Sequence, residues 1–326
     1  MNDRLFSGIR PTGEIHIGNY LGAIKNWADL QANYESFFCI VDYHAITTPF
    51  IPAEMQAKIR EMAIGIISCG VDPEKSTLFI QSHVSEHTEL SWILSSVTNF
   101  NWLTGMIQFK EKSDQHPENI NASLFAYPVL QTADIALYNA KKVPVGEDQI
   151  QHIELARDVI RKFNFNYTNV LIEPEALITK AKRIMGLDGI NKMSKTLNND
   201  ISIIDSSDVI FQKLRPAMTD PARVRKTDPG DPEKCNVYLS YHKNFSNEET
   251  LGIVREGCTT ASIGCIDCKK LLHKGMNEHL EPIREKYNKI ALDKNYITDI
   301  LDYGAKKAKT VASKTLEDVK KSMGLK

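Results

Sequence analysis

Short apolar runs alternate with helix-periodic stretches over the first 200 residues, and this alternation constrains the fold more than anything else in the chain. Arg4 to Ile9, Phe37 to Val41 and Thr77 to Gln81 read as strands, with Tyr20 to Gln31 and Ala53 to Cys69 as helices between them. In the first helix Leu21, Ile24 and Ala28 recur at helical spacing. Strands separated by helices require crossover connections, so the pattern predicts a doubly wound parallel sheet in an α/β domain, with right-handed crossovers. Ligands of such sheets gather beyond the carboxyl ends of the strands. From Asp205 onward strand signals vanish. Ser207 to Arg215, Lys269 to Asn288 and Tyr303 to Met323 read as helices, and the Pro- and Asp-rich stretch Thr219 to Pro232 as a loop. The expected organisation is an α/β domain over residues 1–200, a smaller all-helical domain over 201–296 and a C-terminal helix over 297–326.

A length of 326 residues suits about two domains, and 42% hydrophobic with 25% charged residues supplies a sizeable core. No apolar run approaches the roughly 20 residues of a membrane span, and the N-terminus lacks a basic-then-apolar leader. The expectation is a cytoplasmic protein with no membrane association. A net charge of −1 gives no global nucleic-acid character. Its distribution is more informative, because Lys269 to Lys326 carries a basic surplus on an otherwise acidic chain. Such a tail suits either a polyanionic partner or solvated helix faces.

Two segments carry chemistry. The first strand runs into Arg10-Pro11-Thr12-Gly13, a turn by composition, and then into Ile15-His16-Ile17-Gly18-Asn19 as a helix begins. A glycine-punctuated strand-to-helix turn lets backbone N–H groups approach an anion, and His16 and Asn19 can add donors. About one domain-length later comes Lys192-Met193-Ser194-Lys195, flanked by Gly189, Asn191 and Asn198-Asn199, which favour loop conformations. Lysines on a mobile loop act as point charges for phosphate. Taken together the two segments read as halves of an ATP site, whereas either alone reads as an ordinary turn or a solvated loop. Asp134 lies within the apolar stretch Val129 to Leu137, where an unpartnered carboxylate is costly; a ligand donor, a helix cap or exposure to water would each satisfy it.

Five segments in order support a family resemblance. Pro11 to Asn19 resembles the "HIGH" motif of class I aminoacyl-tRNA synthetases, with Asn in the last position, and Lys192-Met193-Ser194-Lys195-Thr196 resembles their "KMSKS" loop. Val41 to Thr47, Tyr127 to Asp134 and Val143 to Gln149 resemble the bacterial tryptophanyl-tRNA synthetases. The resemblance covers most of the first 200 residues and implies a Rossmann-like catalytic domain followed by a helical anticodon-binding domain. It implies activation of L-tryptophan by ATP with Mg2+, then transfer to tRNA(Trp), by a homodimer. On that resemblance Arg10, Pro11, Thr12, Gly18 and Asn19 line the ATP site, Gly146, Glu147 and Asp148 face the ribose, and Ile184 sits near the adenine. His16, Lys192, Lys195 and Lys112 serve the phosphates, while Met193, Ser194 and Thr196 complete the loop. Phe6, His44, Tyr127, Gln131, Asp134 and Gln149 form the tryptophan site, with Asp134 accepting the indole N–H. A tyrosyl-tRNA synthetase, a non-catalytic tRNA-binding paralogue and a generic nucleotidyltransferase are the competing readings.

Six cysteines remain. Cys39 and Cys69 fall in a strand and at a helix end and read as small buried hydrophobes. Cys235, Cys258, Cys265 and Cys268 are spaced C-x22-C-x6-C-x2-C, which by itself suits zinc, an iron–sulfur cluster or reduced thiols. The run Glu256 to Lys270 resembles a subset of tryptophanyl-tRNA synthetases that carry a 4Fe-4S cluster, so the resemblance implies that cluster on these four cysteines. With Lys269, Lys270 and Lys274 nearby, its implied role is structural or in holding the anticodon.

Overall fold

The computed structural model describes residues 3–108, 120–178 and 184–325. The chain divides into two compact units. Unit one comprises Met1–Gly13, Lys25–Lys180 and Asp293–Lys326, and unit two comprises Glu14–Ile24 and Ala181–Leu292.

Unit one is built on a five-stranded sheet of β1 (Arg4–Ile9), β2 (Glu35–Ile40), β3 (Thr77–Ile80), β4 (Lys142–Val145) and β5 (Glu175–Ile178), in the order β3-β2-β1-β4-β5. Every pairing is parallel, with Phe6 opposite Phe37 and Phe37 opposite Thr77. β2 is buried from Ser36 to Ile40, the near-continuous apolar run expected of a strand covered on both faces. The helices over it include α1 (Pro52–Ser68), α2 (Glu86–Ser95), α3 (Ala122–Ala136) and α4 (Ile150–Asn166). α1 starts on Pro52, whose missing N–H costs nothing in a first turn. Asn121 caps α3 by accepting from the Leu124 N–H at 2.9 Å. The doubly wound sheet expected from the alternation is present. β4 and β5 go beyond the three strands legible in sequence: each has only four residues, and Pro144 interrupts the first.

Unit two is helical, with α5 (Ser207–Leu214), α6 (Glu248–Thr259) and the long α7 (Cys265–Leu292). Among the described residues no strand lies beyond β5, as the loss of strand signals after Asp205 predicts. α8 (Lys294–Ser322) belongs to unit one and packs against β3, α2 and α1. Its Gly304 passes so close to the sheet that a Cβ would lie 1.9 Å from the Leu78 carbonyl oxygen. Among the described residues no helix is long and apolar enough to cross a membrane.

Candidate functional site

The carboxyl ends of four parallel strands bring functional side chains into unit one. Beyond β1 come Arg10, Pro11 and Thr12; beyond β2, Asp42 to His44; beyond β3, Gln81; beyond β4, Gly146 to Gln149. β1 and β4 are sheet neighbours although the chain winds outward in opposite directions from them, which is the switch point where such sheets bind ligands. Arg10 Nη2 donates to Thr48 Oγ1 at 2.7 Å and to the Ala45 carbonyl at 3.4 Å, so the guanidinium is braced from the β2 side. Burial lowers its pKa from the usual value. Gly146 precedes a single 3-10 turn, Glu147–Gln149, in which Gln149 Nε2 donates to Asp148 Oδ2 at 3.1 Å.

α3 supplies the centre of the site. Tyr127, Gln131 and Asp134 recur at i, i+4 and i+7 and so share one helix face. Asp134 is 1% exposed. Its Oδ1 accepts from Gln81 Nε2 at 2.7 Å and bonds His87 Nδ1 at 2.6 Å, and its Oδ2 bonds His44 Nε2 at 2.7 Å. Burial pushes the Asp134 pKa up, but its interactions with His44 first and the hydrogen bond of His87 next outweigh it and hold the carboxyl well below the usual range. Gln81 cannot flip, because its Oε1 accepts the Tyr43 N–H at 3.1 Å. Phe6 stacks on the Tyr138 ring at 5.5 Å, and the Tyr127 hydroxyl bonds His152 Nε2 at 3.0 Å. The structure therefore joins His44 directly to Asp134. Gln131 and Gln149 lie half-buried.

Unit two brings the two sequence motifs into contact. Ile17 N–H donates to Ile201 O at 2.9 Å and Ile203 N–H to Ile15 O at 3.0 Å, docking the first segment on the strand-like stretch after the lysine loop. His16 caps the short helix Ile17–Asn19, its Nδ1 accepting from the Asn19 N–H at 3.3 Å. Burial, reinforced by Lys195 and Lys192 and opposed by Asp200, lowers the His16 pKa to about 4. The ring is thus neutral at pH 7, and with Nδ1 accepting, its proton sits on Nε2. The Gly18 N–H contacts Met193 Sδ at 3.3 Å, and a Cβ on Gly18 would press on the His16 ring at 3.0 Å, so this approach needs glycine. Met193 is buried, whereas Lys192, Lys195 and Thr196 are exposed. Lys195 Nζ lies 3.9 Å from Glu14 Oε2, and the Ser194 and Thr196 hydroxyls bond each other at 2.7 Å. Buried Ile184 accepts the Met193 N–H at 3.2 Å.

Sequence reasoning missed the groups that hold these residues. Asn199 Oδ1 accepts the Ser194 N–H at 2.7 Å while its Nδ2 donates to Asp188 Oδ2 at 2.9 Å, tying the lysine loop to its own base. Burial would raise the Asp188 pKa, but donors from Asn199, Ile190 and Asn191 hold it at about 2. Gln81, His87 and Tyr138 were missed around Asp134. A faint signal existed for His87, which shares the apolar stripe of Leu90 and Leu94 on α2, a polar residue at a core position. Lys112 lies outside the described residues.

The expected iron–sulfur cluster is not supported. Among the described residues no group of three or more His, Cys, Asp or Glu is placed to hold a metal ion. Cys235, Cys258, Cys265 and Cys268 share a neighbourhood in unit two, close enough to feel one another's charge. Burial raises the pKa of Cys235 and Cys258 and takes Cys268 to about 12. Arg223 Nη1 donates to Cys258 Sγ at 3.7 Å, and Cys268 Sγ meets His242 Nε2 at 3.3 Å. The 4Fe-4S cluster and the placing of the chain in the cluster-bearing subset are both withdrawn. Lys269 is also relocated: it is 4% exposed and donates to the Arg215 and Ala217 carbonyls at 2.7 Å each, satisfying the end of α5.

Comparisons with known proteins give the family of the chain. A tryptophan–tRNA ligase of Deinococcus radiodurans is 49% identical over 98% of both chains. That of Thermotoga maritima is 46% identical over 99% of both. The crystal structure of a Campylobacter jejuni tryptophanyl-tRNA synthetase, complexed with ADP and tryptophan, superposes with a TM-score of 0.87 at 34% identity, covering 98% of this chain and 99% of its own. With residues 2–281 matching the family of tRNA synthetases class I (W and Y), the chain belongs to that family.

Proposed function

We propose that the chain activates L-tryptophan with ATP and then transfers tryptophan to tRNA(Trp). The observation that carries the reading is the donor set around Asp134, which keeps the carboxylate ionised and leaves it one acceptor position for a single N–H, the hydrogen-bonding capacity of indole. Phe6, Tyr127, Gln131 and Gln149 complete the tryptophan site, and His44 serves both Asp134 and the substrate. A tyrosine hydroxyl would place its proton at a different reach and add acceptor lone pairs that indole lacks, and sites matched in this way discriminate strongly.

In the first step a tryptophan carboxylate oxygen attacks the α-phosphorus, and the bond to the bridging oxygen breaks to release pyrophosphate. The carboxylate is already nucleophilic, so the side chains position the reactants and stabilise charge on the leaving group. Arg10, Pro11, Thr12, Gly18 and Asn19 hold ATP, with His16 Nε2–H as a phosphate donor. Gly146, Glu147 and Asp148 hold the ribose, and Ile184 packs by the adenine. Lys192, Lys195 and Lys112 take the pyrophosphate charge, on a loop shaped by Met193, Ser194 and Thr196. Mg2+ arrives as part of the ATP substrate, held by phosphate and water. In the second step a ribose hydroxyl of the tRNA terminus attacks the adenylate carbonyl and AMP leaves. The protein works as a homodimer in the cytoplasm, where tRNA is charged.

ATP–pyrophosphate exchange tests the reading. Exchange requires tryptophan and is not supported by tyrosine, and Lys195→Ala lowers kcat roughly a hundredfold with little change in KM for tryptophan. Absence of exchange with either amino acid overturns it.

A further inference from the structure

His87 is fully buried on α2 and takes no part in the steps above. Its two ring nitrogens are both engaged: Nδ1 lies 2.6 Å from Asp134 Oδ1, and Nε2 lies 2.8 Å from the Tyr138 hydroxyl. An ionised carboxylate only accepts, so Nδ1 carries a proton towards it. Nε2 is then left to accept from Tyr138, whose pKa is driven up by burial first and by Cys39, Asp134 and Glu86 next, so the phenol keeps its proton. Tyr138 itself stacks against the Phe6 and Phe37 rings, at 5.5 and 4.6 Å. A sheet-packed phenol thus fixes the imidazole, and the imidazole fixes the carboxylate.

The consequence lies in the oxygen count. Each carboxylate oxygen has two acceptor positions. Gln81 and His87 fill both positions on Oδ1, while His44 fills one on Oδ2. Among the described residues the remaining acceptor is on Oδ2, the oxygen shared with His44, whose side chain is partly exposed. We propose that His87 is a positioning residue for tryptophan selection: by saturating Oδ1 it directs the one open acceptor of Asp134 to the substrate indole N–H.

Resting on the assignment of Asp134 to the indole, this inference is tested by comparing tryptophan with its benzothiophene analogue, in which sulfur replaces the N–H. Pyrophosphate exchange is measured with both amino acids for the wild type, His87→Leu, His87→Gln and Tyr138→Phe. Wild-type enzyme prefers tryptophan in kcat/KM. His87→Leu raises KM for tryptophan roughly ten- to a hundredfold, leaves the analogue nearly unchanged, and so erases the preference. His87→Gln, which can return an N–H to Oδ1, restores much of it, and Tyr138→Phe, which frees the ring without removing it, gives an intermediate preference. Parallel losses for both substrates in the Leu and Gln variants overturn the proposal in favour of a purely structural His87, as does a full preference in His87→Leu. If His87→Leu does not fold, an unaltered preference in Tyr138→Phe overturns it. Wild-type enzyme that turns over tryptophan and the analogue equally refutes the Asp134–indole contact instead, and wild-type enzyme inactive with tryptophan refutes the ligase reading.

Discussion

At Asp134 the difference between a carboxylate and its amide rests on which atoms around it are donors. Gln81, His44 and His87 all present N–H groups, so Asp134→Asn would set an NH2 against at least one of them. Breaking a buried charged pair in this way costs about 3 kcal/mol, read as a lower urea midpoint with unchanged slope, and KM for tryptophan rises with it. His16 makes a pH prediction. Its pKa falls from 6.5 to about 4 on folding, so between those values the unfolded chain binds the extra proton. Stability from this residue is complete above pH 6.5 and is lost as the pH falls towards 4. The melting temperature should decline over that window, and His16→Gln should flatten part of the decline; an identical slope in the variant refutes the assignment.

Among the elements, α8 and the lysine loop each turn on one contact. Replacing a mid-helix glycine by alanine ordinarily stabilises by about 0.5–1 kcal/mol. Gly304→Ala should do the opposite, because its Cβ would meet the Leu78 backbone oxygen at 1.9 Å and α8 must lift from β3. A loss of roughly 2 kcal/mol is expected, seen in urea unfolding, with KM for tryptophan unaltered. Asn199→Ala removes both the acceptor for the Ser194 N–H and the donor to Asp188. The expected result is a several-fold rise in KM for ATP with KM for tryptophan unchanged, measured by exchange; equal effects on both substrates would place Asn199 outside the loop's support. These contacts were not legible in the sequence. Gly304 reads as a helix-weakening residue until its neighbour is known, and Asn199 reads as loop composition.

For the whole molecule, charge separates the two half-reactions. The basic surplus lies in α7 and α8 and suits the tRNA polyanion. Raising salt from about 50 to 200 mM should weaken tRNA charging steeply while exchange, which involves no tRNA, changes little; equal sensitivity would remove tRNA from these helices. The parallel sheet and the helical remainder could be read from order and spacing, because strand–helix alternation admits few topologies. The short strands β4 and β5 could not: Pro144 interrupts the first, and the second buries none of its four residues fully, whereas the equally short β3 is buried throughout and shows as an apolar run. The four cysteines show the opposite failure: the family resemblance of the run around them implied a cluster, but among the described residues no group of three or more His, Cys, Asp or Glu is placed to hold a metal ion. By itself the sequence determined the family and the parallel, doubly wound class of the fold. Only the tertiary structure decided that Glu14–Ile24 packs with Ala181–Leu292, and that Gln81, His44 and His87 converge on Asp134. These side chains come from separate loops and helices, and which of them meet is set by packing across the sheet rather than by any local pattern.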